Sequence, residues 1–219
     1  MELLKSNKNV FWEALIICIF IFGSGILLGV LLENSRSQKI SESYLSSEID
    51  LLDIQILGDI LNQDDFNCAN AIDENIKFGD RIYEDAQILS RYESAERLTE
   101  RLKDQHKRYD TLRTLFWINS VKIKEKCNGS FHTIVYLYDY SPESSELGVQ
   151  QKVFSTALTD LKDIYGSRIL LIPIAKNMNI SSLNILINKY NLTRTSVIID
   201  EKIVISDLEG LSNIEKHLS

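Results

Sequence analysis

The sequence predicts a mixed α/β protein carried on a membrane anchor, and three observations lead there. An uncharged apolar run occupies Ala14 to Leu32, apolar residues recur at helical spacing from Ile49 to Ile123, and beyond Asn128 short apolar strands alternate with helices. The chain has 219 residues, a formal net charge of −7 and 44% hydrophobic side chains, enough to supply a core. The acidic balance, with no basic face, argues against nucleic acid as a partner, because phosphate binding needs clustered Lys and Arg.

The apolar run is about 19 residues, and at about 1.5 Å per residue it spans roughly 28 Å, close to the hydrocarbon thickness of a bilayer. It reads as a single transmembrane helix over 14–32. A secretory signal peptide is the rival, since Lys5 and Lys8 precede the run as a basic region would. The run exceeds a usual signal core, and Glu33-Asn34-Ser35-Arg36 offers no small-residue cleavage site, so an uncleaved anchor is the reading retained. Residues 1–13 are expected in the cytoplasm and the rest outside, because a long domain is translocated regardless of the charge contributed by Arg36 and Lys39. Gly25 and Gly29 form a Gly-x-x-x-Gly, which permits a homodimer through the membrane helix or simply smooth packing in lipid; Trp12 suits the membrane interface.

Residues 33–47 are polar and serine-rich and read as a stalk or linker. Ile49, Leu52, Ile56 and Ile60 then mark a short amphipathic helix that ends near the Asn62–Asp65 polar cluster. A second helix is expected from Phe66 to Ser90, with Ile72, Ile76, Gly79, Tyr83 and Ala86 on one face. Ser90 with Glu93 forms a capping box that could open the next helix, although a turn a few residues later fits equally. That third helix runs to Lys126, with Leu98, Leu102, Tyr109, Leu112, Phe116 and Ile123 in register. Packed as an antiparallel, coiled-coil-like hairpin within 48–127, the two long helices would bury both stripes. The dense mixed charges from Glu96 and Arg97 through Glu100, Arg101, Lys103, Asp104, Lys107, Arg108 and Asp110 read as a solvated face.

Cys18 lies in the apolar run as a small filler, whereas Cys68 opens the second helix and Cys127 closes the third. In an antiparallel hairpin those ends meet. Outside the cytoplasm a disulfide stapling the hairpin is the reading retained, with two free thiols or a redox pair as the alternatives.

From 128 to 219 the pattern is strand Thr133–Tyr138, a loop, helix Glu146–Tyr165, strand Arg168–Ala175, helix Ser181–Tyr190, strands Ser196–Ile199 and Lys202–Ser206, and a last helix Leu211–Leu218. This βαβ-αββα order resembles the thioredoxin-like superfamily. Ile134 to Ser141 occupies the place of the family's first strand and active-site turn. Leu186 to Leu192 is similar to its helix leading to the proline turn, and Val197 to Asp200, Lys202 to Ile205 and Gly210 are similar to its closing hairpin and helix.

The resemblance implies a dithiol at the amino end of the first helix, yet the corresponding loop is Ser141-Pro142-Glu143-Ser144 and no cysteine follows Cys127. The implied cis-proline falls near Arg194-Thr195-Ser196, while the chain's prolines are Pro142 and Pro173. A thioredoxin-like fold without thioredoxin chemistry follows, with no catalytic residue, no cofactor and no metal ligand assigned.

His106, His132 and His217 lack metal-site spacing and are expected at the surface or at strand ends. Asn128, Asn179 and Asn191 each begin an Asn-x-Ser/Thr sequon. The expected function is a single-pass membrane protein displaying a non-catalytic binding or scaffolding module to a protein partner. The alternative is a membrane-bound thiol-disulfide oxidoreductase using Cys68 and Cys127.

Overall fold

The structure is a computed structural model that describes the backbone of residues 3–63, 65–93, 100–129 and 131–218, and the side chains there except at 3–9, 33–47, 88–93 and 100–102. The chain divides into two compact units, Met1–Ser46 and Ser47–Ser219. Helix α1 (Leu3–Ile60) begins in the first and ends in the second. In the first unit, Val10–Leu32 gives 23 residues of mean hydropathy 2.9 with none buried, long and apolar enough to cross a membrane. The Ser24 hydroxyl within it donates to the Ile21 carbonyl (2.8 Å), so its proton has a partner without water. The polar segment 33–47 is helical throughout.

The second unit is built on a sheet of β1 (His132–Tyr138), β2 (Ile169–Ala175), β3 (Ser196–Ile199) and β4 (Ile203–Ile205) in the order β2-β1-β3-β4. Strands β1 and β2 are parallel, pairing Val135 with Ile172. Strands β1 and β3 are antiparallel, as are β3 and β4, pairing Val135 with Ile198 and Ile198 with Val204. The central strands are almost wholly apolar because helices cover both faces. Ile134, Tyr136, Leu171, Val197 and Ile199 face Phe154, Leu158 and Leu161 of α4 (Ser145–Tyr165) and Leu211 of α6 (Leu208–Ser212). Val135, Leu137, Leu170, Ile172, Ile174 and Ile198 face the helical part and Leu183 of α5 (Ser181–Lys189).

Helices α2 (Cys68–Glu93) and α3 (Glu100–Cys127) form the hairpin, and a disulfide joins Cys68 to Cys127 at Cα–Cα 5.3 Å. Since Cys68 starts one helix and Cys127 ends the other, the pair runs antiparallel. Ser90 and Glu93 lie in α2, which runs to Glu93, so the capping box does not open the next helix. Tyr109, Leu112, Phe116 and Ile123 are buried as the periodicity requires, whereas Leu98 and the side chain of Leu102 lie outside the described residues. On α2 the most buried face is rotated towards Ala71, Asn75, Phe78 and Ile82. Gly79 belongs to that face because a Cβ there would meet Leu170 Cδ2 at 2.7 Å and Phe116 Cζ at 3.0 Å.

The end of α1 packs on α3 by the face opposite the Ile49 stripe. Ile54 and Leu61 are buried and Leu51 and Leu57 partly so, while Ile49, Leu52, Ile56 and Ile60 point outward. The cause is close approach: a Cβ on Gly58 would meet Asn119 Oδ1 at 3.0 Å, and Asn119 Nδ2 donates to the Ile54 carbonyl (2.7 Å). Only the glycine face lets the helices come that near.

Phe116, 1% exposed and 5.3 Å from the Phe78 ring, joins the hairpin to the sheet. Phe116→Ala is expected to cost about 3–5 kcal/mol in denaturant unfolding of the full chain, against less than about 0.5 kcal/mol for Ile185→Ala at an exposed site.

Candidate functional site

The carboxyl ends of parallel strands are where α/β sheets present ligand sites, so the loop after β1 comes first. Ser141, Pro142, Glu143 and Ser144 are exposed. Ser144 is the N-cap of α4, its backbone extended and its Oγ accepting the Leu147 N–H (3.2 Å), which spends the hydroxyl on the helix end. Gln151, buried about two turns further along, ties the loop to the turn before β3. In the orientation that satisfies its neighbours, its amide oxygen accepts the Asp139 N–H (2.7 Å) and the Thr195 hydroxyl (3.2 Å), and its nitrogen donates to the Asp139 carbonyl (3.2 Å). Lys176 adds an ion pair to Asp139 (3.2 Å). Thr195, in the stretch Arg194-Thr195-Ser196 near which the resemblance implied a proline, is thus fixed by a side-chain bond.

Beside the same strand ends lies a buried polar chain from α3. His106 Nε2 is 3.0 Å from the Tyr138 hydroxyl and 3.2 Å from Asp110 Oδ2, and its ring lies 4.3 Å from that of Tyr140. Asp110 also accepts the Ala175 N–H (3.2 Å) and pairs with Arg113 Nη1 (3.2 Å), which donates to the Pro173 carbonyl (2.7 Å). Arg113 stacks over the Tyr109 ring at 4.2 Å. Burial opposes its charge, but Tyr109, Asp110 and Tyr138 outweigh this and raise its pKa. Asp110 was expected on a solvated face and His106 at the surface or a strand end; at 0% and 4% exposed both are core residues, Asp110 bonding the backbone edge of β2 and His106 bonding Asp110 and the Tyr138 hydroxyl. Lys103 and Asp104 are exposed, as expected of a solvated face, whereas Glu96 and Arg97, with the side chains of Glu100 and Arg101, lie outside the described residues.

At the opposite end of the sheet, the β3–β4 turn carries Asp200 (φ 49°) and Glu201 (φ 58°), both left-handed, with Lys202 N donating to the Ile199 carbonyl (3.1 Å). Such a turn favours Asn-Gly, so two acidic residues need side-chain anchors. Asp200 takes the Thr133 N–H (3.0 Å), His132 Nδ1 (2.6 Å) and the Lys124 ammonium. Glu201 takes Trp117 Nε1 (2.9 Å) and the Thr133 hydroxyl (2.8 Å). Burial alone would raise the Asp200 pKa, but its three donors prevail and hold it below the usual carboxylate value. For Glu201 burial prevails over Trp117 and Thr133, and the pKa is raised.

Gly25 and Gly29 lie one turn apart with open space over each. His132 begins β1 and His217 is exposed, as expected, and among the described residues no group of His, Cys, Asp and Glu could hold a metal. The sequon residues Asn128, Asn179 and Asn191 all have positive φ (51°, 54° and 52°), a conformation Asn tolerates better than most residues. Sequence reasoning missed Gln151, Arg113 and Trp117. A legible signal was the row His106, Asp110, Arg113, Trp117, stepping by four, three and four beside the apolar stripe of α3. No protein-family model, curated protein or solved structure matches this chain.

Asp110→Ala is expected to cost about 3–5 kcal/mol in denaturant unfolding, because it leaves the Arg113 charge buried without its carboxylate. Asp200 stays charged to lower pH folded than unfolded, so its stabilisation is complete above the ordinary carboxylate pKa and is lost as pH falls through the lowered value. The stability gap between the native chain and Asp200→Asn, measured by urea unfolding, is therefore expected to be constant near neutral pH and to shrink as pH falls through and below the ordinary carboxylate range. For Glu201, whose folded pKa is raised, the buried charge weighs against folding at neutral pH and that cost is relieved on acidification.

Proposed function

We propose that this chain is a single-pass membrane protein displaying, outside the cytoplasm, a binding or scaffolding module with a thioredoxin-like α/β core and no thioredoxin chemistry. The observation that carries the reading is where the sulfurs are. Cys68 and Cys127 are joined across the base of the hairpin, while the loop leading into α4 holds Ser141 and Ser144, the latter occupied as a helix cap.

A disulfide closing about 60 residues contributes about 4 kcal/mol in the chain-entropy model and persists in an oxidising compartment, which supports an extracytoplasmic location. The apolar helix Val10–Leu32 supplies the anchor, and Lys5 and Lys8 before it favour a cytoplasmic amino end. The sheet order β2-β1-β3-β4, with α4 and α6 on one face and α5 on the other, supports the thioredoxin-like resemblance. A serine cannot exchange with a disulfide, and the stretch Arg194-Thr195-Ser196, near which the resemblance implies a proline, holds none.

Full chain in phosphatidylcholine nanodiscs, assayed for reduction of a disulfide-bonded protein with a small thiol as electron donor, is expected to show the uncatalysed rate. Reduction faster than the thiol alone, abolished by Cys68→Ser, would overturn the reading in favour of a membrane-bound oxidoreductase.

A further inference from the structure

Ile49, Leu52, Ile56 and Ile60 stand 63%, 60%, 58% and 41% exposed on the last turns of α1. Their spacing of three, four and four residues puts them on one helix face, opposite the Ile54, Gly58 and Leu61 face that packs inside. At about 25 cal/mol per Å² of apolar surface, a row of four aliphatic side chains is costly to leave in water, and contiguous patches of this kind mark interaction surfaces.

The borders of the stripe say what covers it. On the helix wheel Asp53 flanks one side and Asp59 the other, and both are exposed. Residues 48–63 hold Glu48, Asp50, Asp53 and Asp59 with no Lys or Arg, and Glu48 is already paired with Arg108. A second copy would set these acids against its own, and an anionic lipid surface would be repelled in the same way.

We propose that the stripe is the docking face for a basic amphipathic helix of a partner protein, an aliphatic row spaced by threes and fours and bordered by Lys or Arg. This rests on the binding-module reading and names the partner's chemistry. Aliphatic contact supplies the affinity and the flanking Asp residues select the sign of the partner's charge.

The test uses the full chain in phosphatidylcholine nanodiscs and a fluorescent helical peptide of Leu and Lys at that spacing, with a Leu and Glu peptide as control and empty nanodiscs as blank. Fluorescence anisotropy is expected to show saturable binding of the Lys peptide that weakens with salt and is at least about tenfold tighter than that of the Glu peptide. Leu52→Ser with Ile56→Ser should weaken it about tenfold or more, and Asp53→Asn with Asp59→Asn several-fold, with circular dichroism and the urea midpoint unchanged because all four sites are exposed. Equal binding of both peptides, or affinity unmoved by either variant pair, would overturn the proposal. Self-association of the full chain abolished by the serine pair would also overturn it, giving the face to a second copy. Failure of peptide binding in a chain without reductase activity sinks only the docking assignment, whereas reductase activity sinks the reading beneath it.

Discussion

The outer edge of β2 is the constraint on which the second unit depends. An edge strand presents backbone groups that must be paired or covered, and here the pairing comes from side chains of a helix. Asp110 takes the Ala175 N–H and Arg113 donates to the Pro173 carbonyl, while Pro173 itself has no N–H to satisfy. Lys162 of α4 does the same at the other end of the strand, donating to the Ile169 carbonyl (2.9 Å) and pairing with Asp80 of α2 (2.8 Å). Both anchors join the helical hairpin to the sheet. The apolar packing of Phe116, Ile172 and Leu170 then fills the space that the polar bonds fix.

Much of this was legible in the sequence because it follows from period and chemistry. The β-branched runs gave strands close to their observed limits, and Cys68 and Cys127 sat where an antiparallel hairpin brings its ends together. What was not legible depended on tertiary approach. The stripe Ile49, Leu52, Ile56, Ile60 has the period of a core face, yet Gly58 decides the packing because only that side admits Asn119. His106 and Asp110 lie in a charge-dense run that composition assigns to solvent, and their burial follows from strands much later in the chain, Tyr138 of β1 for His106 and the Ala175 amide of β2 for Asp110. The loop before α4 was likewise beyond the sequence: Ser144 caps a helix, and Thr195 is held by a hydrogen bond to Gln151.

The positive-φ positions complete the picture. Asn128 follows α3 and Asn191 follows α5, where a left-handed residue lets the next amides close the helix end, as Leu192 N does on the Ile187 carbonyl (3.1 Å). Asp200 and Glu201 use the same backbone region at a greater steric cost, offset by Lys124, His132, Thr133 and Trp117. The turn thus fastens the far end of the sheet to α3, as Asp110 and Arg113 fasten the near end. Helix α3 is held at both.

If the hairpin is displayed outside the cytoplasm, as proposed above, Cys68 and Cys127 form a permanent staple. Thiol trapping of the two cysteines in intact cells, read by mass after mild and then strong reductant, is the measurement to make first. The bond is expected to survive mild reductant and to open only under strong reduction. Two free thiols, or a pair that cycles readily, would overturn the staple.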